Sequence, residues 1–229
     1  MSLILCIETT TEICSVALAQ NGKTIGLLQI EQGNTHAARL HGLVQNVLQN
    51  AGYGLNQLSA VAVCKGPGSY TGLRVGVSAA KGYCYALDIP LIAIDSLTSL
   101  AAYFAQNNDM SPNALLVPMI DARRMEVYTA VFDQKLNMLE PIEAKIINEH
   151  SFSERLDQQE LIFFGNGAEK CKERIRHKNA IFVPQINCSA DGLAVIAKDA
   201  YLQKAFENVA YFEPFYLKDF VGTKSKKLV

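Results

Sequence analysis

Cys64-Lys-Gly-Pro-Gly-Ser-Tyr-Thr-Gly-Leu-Arg-Val-Gly76 is a glycine-rich turn that leaves an apolar strand and runs straight into a helix. The strand is Ser59 to Cys64, and the helix extends from about Thr71 to Leu87 with apolar residues at helical spacing. Gly66, Pro67 and Gly68 bend the chain, and Ser69 or Thr71 can cap the helix. Free N–H groups and the positive end of the helix dipole would then face the turn, where an anion is the natural guest. Lys65 and Arg74 would reinforce that choice, so Lys65, Gly66, Gly68, Ser69, Thr71 and Arg74 form a candidate anion or nucleotide site. The stretch lacks the Gly-Lys-Ser/Thr ending of a nucleotide P-loop. A plain strand-to-helix connection whose glycines permit close packing stands as the other reading.

The helix contains Gly72, Gly76 and Gly82, each costing about 1 kcal/mol relative to alanine. Gly72, Gly76, Ala79 and Ala80 share one side, which predicts a smooth face for the close approach of another helix. Charge is unevenly spread around it. Residues 1–100 hold five basic and five acidic side chains against 16 and 17 in residues 101–229, and no Asp or Glu occurs from Gln32 to Leu87. The N-terminal half is therefore expected to cover surface with something other than solvent, and paired-carboxylate chemistry is not expected there.

The 229 residues, 49% hydrophobic with net charge −1, suffice for one large or two small domains of an ordinary globular protein. Six cysteines at 6, 14, 64, 84, 171 and 188 form no CxxC pair and read as small buried residues rather than disulfides or zinc ligands. The opening residues are too short and too soon acidic for a signal segment, and no stretch has the length of a membrane span, so a cytoplasmic protein is expected.

Three strands open the chain, Leu3 to Ile7, Ile13 to Gln20 and Lys23 to Ile30, with Asn21-Gly22 as a hairpin signal. A helix from Thr35 to Ala51, the glycine turn with its strand and helix, a strand at Leu91 to Ile94 and a helix at Ser96 to Gln106 give the order βββαβαβα. The polar run Asn107 to Asn113 marks a junction between an N-terminal domain, 1–106, and a C-terminal one, 113–229. The second half repeats the order: strands at 115–120, 126–132 and 139–147, a short helix near 152–156, a strand at 161–164, a helix at 167–177, a strand at 181–183 and a helix at 190–206. The expected fold is α/β, two stacked domains of the actin, sugar kinase and Hsp70 (ASKHA) type in shortened form.

Gly66-Pro-Gly-Ser-Tyr-Thr-Gly-Leu-Arg74 followed by Ala80-Lys81-Gly82 resembles the signature of the bacterial TsaB (YeaZ) family. Leu5 to Leu18 is similar to that family's first hairpin, Asp121-Ala-Arg-Arg-Met-Glu-Val-Tyr128 to the opening of its second domain, and Pro214-Phe-Tyr-Leu-Lys218 to its closing segment. The resemblance implies a non-catalytic subunit of the machinery that makes N6-threonylcarbamoyladenosine (t6A) at position 37 of tRNAs reading ANN codons. It implies pairing with a catalytic TsaD-type subunit through the N-terminal helices, with a TsaE-type ATPase joining and tRNA engaged through the complex. No cofactor of its own is implied, although ATP or ADP at the subunit junction fits the resemblance. The partner interface is expected at Leu40, His41, Val44, Val47, Leu48, Leu73, Gly76, Val77, Ala80 and Tyr83, and the isolated chain is expected to form a homodimer through the same helices.

An independent enzyme, either a nucleotide-dependent transferase or a glycoprotease-like peptidase of the same superfamily, is the alternative. His36 and His41, five apart on helix one, lie about 140° apart around its axis and do not suit one metal. Glu8 before Thr9-Thr10-Thr11 stands where the superfamily often has an aspartate near its nucleotide; the expectation favours a solvated, threonine-rich turn. Asp121 and Arg123, with Arg124, sit at the equivalent turn of the second half and suit phosphate or a partner carboxylate as well as a simple hairpin. Lys170, Lys172, Arg174, Arg176 and Lys178, and the tail lysines 224, 226 and 227, could meet RNA phosphates or merely water.

Overall fold

The computed structural model describes residues 2–31 and 36–218. The expected helix start at Thr35 and the tail lysines 224, 226 and 227 lie outside them.

Alternation with period two decides the first sheet. In β1 (Leu3–Glu8), Leu3, Leu5 and Ile7 point to one core cluster while Ile4 and Cys6 point to another. β4 (Ala60–Gly66) does the same with Val61 and Val63 on one face and Ala60, Ala62 and Cys64 on the other. With β2 (Ile13–Gln20), β3 (Lys23–Glu31) and β5 (Leu91–Asp95) they form a five-stranded sheet in the order β3-β2-β1-β4-β5. β1 pairs antiparallel to β2 and parallel to β4. The second sheet uses β6 (Leu115–Asp121), β7 (Glu126–Phe132), β8 (Met138–Ile146), β9 (Leu161–Phe164) and β10 (Ala180–Phe182) in the order β8-β7-β6-β9-β10. Renumbered from its own first strand, this is the same 3-2-1-4-5 arrangement, so the duplicated ASKHA-type unit is what the chain forms. Both units leave their fourth strand through a glycine of positive φ, Gly66 at 116° and Gly165 at 104°.

The helices are less symmetric. In the first unit, α1 (His36–Ala51) and α2 (Tyr70–Leu87) cover the outer face of the sheet. Their counterparts are a four-residue helix, α4 (Ser153–Leu156), and a 3₁₀ turn at Glu169–Cys171. The helix expected over 167–177 is therefore absent. Its apolar spacing is present in Ala168, Cys171 and Ile175, which are buried. However, Glu169/Glu173, Lys170/Arg174, Lys172/Arg176 and Arg174/Lys178 would each set like charges four residues apart, which weakens a helix. The last helix is also shorter than expected: a 3₁₀ turn at Ala190–Gly192 leads into α5 (Leu193–Leu202).

Packing crosses the junction at 107–113. α3 (Ser96–Asn107) follows the first sheet but places Leu97, Leu100, Ala101 and Phe104 among Leu116, Phe132, Ile162 and Phe164 of the second. α5 follows the second sheet but seats Leu193, Ala194 and Ala197 on the small residues Ala17, Ala19, Ala60 and Ala62 of the first. Together α3 and α5 fill the space between the sheets. A C-terminal strap then returns across the first unit, with Glu207 bridging to Leu91 and the Phe215 N–H donating to the Lys65 carbonyl at 2.7 Å.

Candidate functional site

The glycine turn closes on the turn after β1. Ser69 N–H donates to the Thr10 carbonyl at 2.7 Å, and the Thr9 hydroxyl donates to the Gly72 carbonyl at 2.8 Å. A side chain on Gly68 would run into Thr10, and one on Gly72 or Gly76 into Thr9. The smooth face of α2 thus meets the chain's own Thr9–Thr11 turn, which corrects the expectation that Gly76 awaits a partner helix.

That turn is not solvated either. Glu8 is 0% exposed and Thr9 and Thr10 are 1% exposed. Glu8 Oε1 accepts from the Thr10 N–H at 2.6 Å and from its hydroxyl at 2.5 Å, while His36 Nε2 lies 2.9 Å from the Thr11 carbonyl. Glu8 Oε2 is buried with no hydrogen-bond partner among the described residues. Burial pushes the Glu8 carboxyl up, and burial first and Glu8 second push up the neighbouring Cys64 and Cys188 thiols. The apolar sheet context around Glu8 was readable in the sequence; the lid that α2 places over it was not.

The candidate anion groups do not converge. Lys65 pairs with Asp95 at 3.6 Å. Arg74 lies over the Tyr70 ring at 4.1 Å and donates from Nε to the Tyr216 hydroxyl at 3.2 Å. The Ser69 hydroxyl accepts from the Gly72 N–H at 3.3 Å as the helix cap, Gly66 is packed beneath the Phe215 carbonyl, and Thr71 faces solvent. The turn therefore spends its polar groups on internal bonds, and the expectation of an anion cradle at Lys65, Ser69 and Arg74 is corrected. Lys81, singled out only within the motif, holds the strap by donating to the Ala210 and Phe212 carbonyls at 3.2 and 2.8 Å.

A second correction concerns the interface residues. Leu40, Val44, Val47, Leu48, Leu73, Gly76, Val77 and Ala80 are all buried inside the first unit, and of these only Leu40 also lines the groove between α1 and α2. Of the expected set, only His41 and Tyr83 reach the surface, joined by a 2.8 Å hydrogen bond between His41 Nδ1 and the Tyr83 hydroxyl. They line a groove of about 620 Å³ between α1 and α2, together with Ala37, Val75, Ser78, Gly82 and Ala86, and Arg74 is the one Lys, Arg, Asp or Glu in its lining. Apart from Leu40, His41 and Tyr83, the residues that line the groove lie outside the expected set. His36 and His41 take different partners, as their angular separation requires.

In the second unit, Asp121 accepts from Lys170, whose ammonium also donates to the Arg124 and Glu126 carbonyls at 2.8 and 2.7 Å. Lys218 of the strap pairs with Glu126. Arg123 and Arg124 are exposed at the hairpin tip. No helix among the described residues is long and apolar enough to cross a membrane.

A family model described as TsaD, tRNA N6-adenosine threonylcarbamoyltransferase, matches residues 29–228. The chain is 31% identical to the tRNA threonylcarbamoyladenosine biosynthesis protein TsaB of Haemophilus influenzae, covering 96% of this chain and 95% of that one. YeaZ from Pseudomonas aeruginosa superposes with a TM-score of 0.82 at 26% identity, over 95% of this chain and all of that one. An inorganic polyphosphate/ATP-glucomannokinase from an Arthrobacter strain, at 12% identity and a TM-score of 0.51, covers 89% of this chain and all of its own, and shares the fold alone. With the duplicated sheets, the threonine-clamped glycine turn and the full-length match to TsaB, the chain belongs to the TsaB (YeaZ) family of tRNA threonylcarbamoyladenosine biosynthesis proteins, related to TsaD.

Proposed function

We propose that this chain is the non-catalytic partner that docks and activates a TsaD-type subunit for t6A formation at adenosine 37 of tRNAs reading ANN codons. The observation that carries the reading is the α1/α2 groove: small-walled, apolar and bordered by a stretch with no carboxylate from Gln32 to Leu87. Small side chains let helices approach closely, and missing charge lowers the desolvation cost of burying them. The TsaD model's match across α1 and α2 supports two related chains meeting through like faces. In this reading the same groove makes the homodimer of the isolated chain, and a TsaE-type ATPase and any ATP or ADP belong to the assembled complex. The internal bonding of Lys65, Ser69 and Glu8 favours a scaffold over an independent transferase or peptidase.

The test is to mix the purified chain with the TsaD-type protein of its own source, follow assembly by sizing and light scattering, and assay threonylcarbamoyl transfer to tRNA. A Cβ on Gly82 meets nothing within 4 Å, so Gly82→Glu puts a charge into the groove without disturbing the core. Wild type should pair and support transfer only in the mixture, and Gly82→Glu should lose pairing at least about tenfold with a melting temperature at or above that of wild type. Absence of a mixed complex, or transfer by this chain alone, would overturn the proposal.

A further inference from the structure

Arg123 and Arg124 both hold positive φ, 69° and 50°. That region costs an ordinary residue about 1–2 kcal/mol and is occupied more readily by glycine or asparagine. The β2–β3 hairpin of this same chain uses those residues, Asn21 at 51° and Gly22 at 83°. At 123–124 two arginines take the strained positions instead, exposed, and neither guanidinium has a hydrogen-bond or ion-pair partner among the described residues. The carboxylates that could have answered them are taken, Asp121 by Lys170 and Glu126 by Lys218.

The surface continues from the tip. Lys170 grips the Arg124 carbonyl, which ties the 169–178 segment to the hairpin, and beyond it Lys172, Arg174, Arg176 and Lys178 are exposed. Residues 121–126 and 169–178 with Lys218 hold eight basic and four acidic side chains, a surplus of four positive charges on a chain whose net charge is −1. No Phe, Tyr or Trp lies between Glu169 and Lys178 to stack on a base, and the His177 ring faces Asp157 at 3.4 Å.

We infer that Arg123 and Arg124, backed by the 172–178 segment, form the surface through which this protein holds the sugar–phosphate backbone of its RNA. The inference rests on the proposed place of the chain in a tRNA-modifying complex. Guanidinium forks pair with successive phosphates, and the lack of stacking partners makes the contact one of backbone rather than of base sequence.

The test measures binding of an unmodified, ANN-reading tRNA transcript to the full chain alone and to its mixture with the TsaD-type partner, from about 50 to 300 mM salt. Three proteins are compared: wild type, Arg123→Asn with Arg124→Gly, and Arg123→Lys with Arg124→Lys. The Asn/Gly variant relieves the strained backbone, so it should melt at or above the wild-type temperature while binding tRNA roughly tenfold more weakly, with the salt slope reduced by about two. The lysine variant should keep most of the affinity. Unchanged affinity and slope in the Asn/Gly variant would overturn the inference. So would loss of pairing with the protein partner while tRNA binding by the lone chain is unchanged, which would assign the arginines to protein carboxylates. If wild type forms no mixed complex, the proposed function fails, whereas tRNA binding by the lone chain still decides this inference; wild type binding no tRNA in either form overturns it.

Discussion

The turn after β1 and the turn after β6 hold the same place in two copies of one unit, and they have opposite fates. In the first, α2 roofs Thr9 and Thr10, with the Thr9 hydroxyl donating to the Gly72 carbonyl and the Ser69 N–H donating to the Thr10 carbonyl, while His36 of α1 lies 2.9 Å from the Thr11 carbonyl. In the second, the roofing helix has shrunk to a 3₁₀ turn, one lysine fastens it to the hairpin, and the tip with its two arginines stands open. Similar sheets can thus carry a sealed turn or a presented one. The difference comes from whether the segment after the fourth strand can form a helix.

Three substitutions would break or sharpen that contrast. Gly72→Ala forces a methyl group against the Thr9 carbonyl oxygen, a backbone atom that cannot swing aside. A loss of about 3 kcal/mol or more is expected in chemical denaturation; a loss under 1 kcal/mol would mean the roof is not close-packed.

Glu8→Gln addresses the buried carboxyl. Because burial raises its pKa above the ordinary 4.5, the folded state holds its proton longer than the unfolded state does. This contribution to stability is complete below the unfolded value and is lost as pH rises through the raised folded value, at up to about 1.4 kcal/mol per pH unit. The glutamine variant keeps an acceptor for the Thr10 N–H and lacks the proton, so its melting temperature should fall less than wild type's from pH 5 upward. Parallel curves would show that Glu8 does not couple folding to pH.

The smallest effect is Gly82→Ala. With open space around the Cβ and a helix interior to gain from, it should stabilise the chain by about 0.5–1 kcal/mol. A loss would show that the space around Gly82 is not open in the folded chain.

Much of the architecture was legible because each strand has its own period and each turn its own punctuation. Alternation in β1 and β4, Asn21-Gly22 and the polar run before β6 fix the strand order within each copy. The site was less legible. Helical spacing correctly grouped Leu40, Val44, Val47, Leu73, Gly76 and Val77, but it cannot tell which side of an apolar helix faces its own sheet and which faces a neighbour. The charge-poor stretch drew attention to α1 and α2, and the stripe expected on them is the one that faces their own sheet.

The amino-acid sequence by itself determined the duplicated strands, the bend at Gly66 and the family signature, because these depend on local periodicity and on residues that permit a turn. The tertiary structure alone decided that α3 and α5 each cover the opposite sheet, that Glu8 is sealed and that Lys65 and Arg74 part company. Those outcomes depend on which distant surfaces meet, and burial, desolvation and charge pairing take their values only after that meeting has occurred.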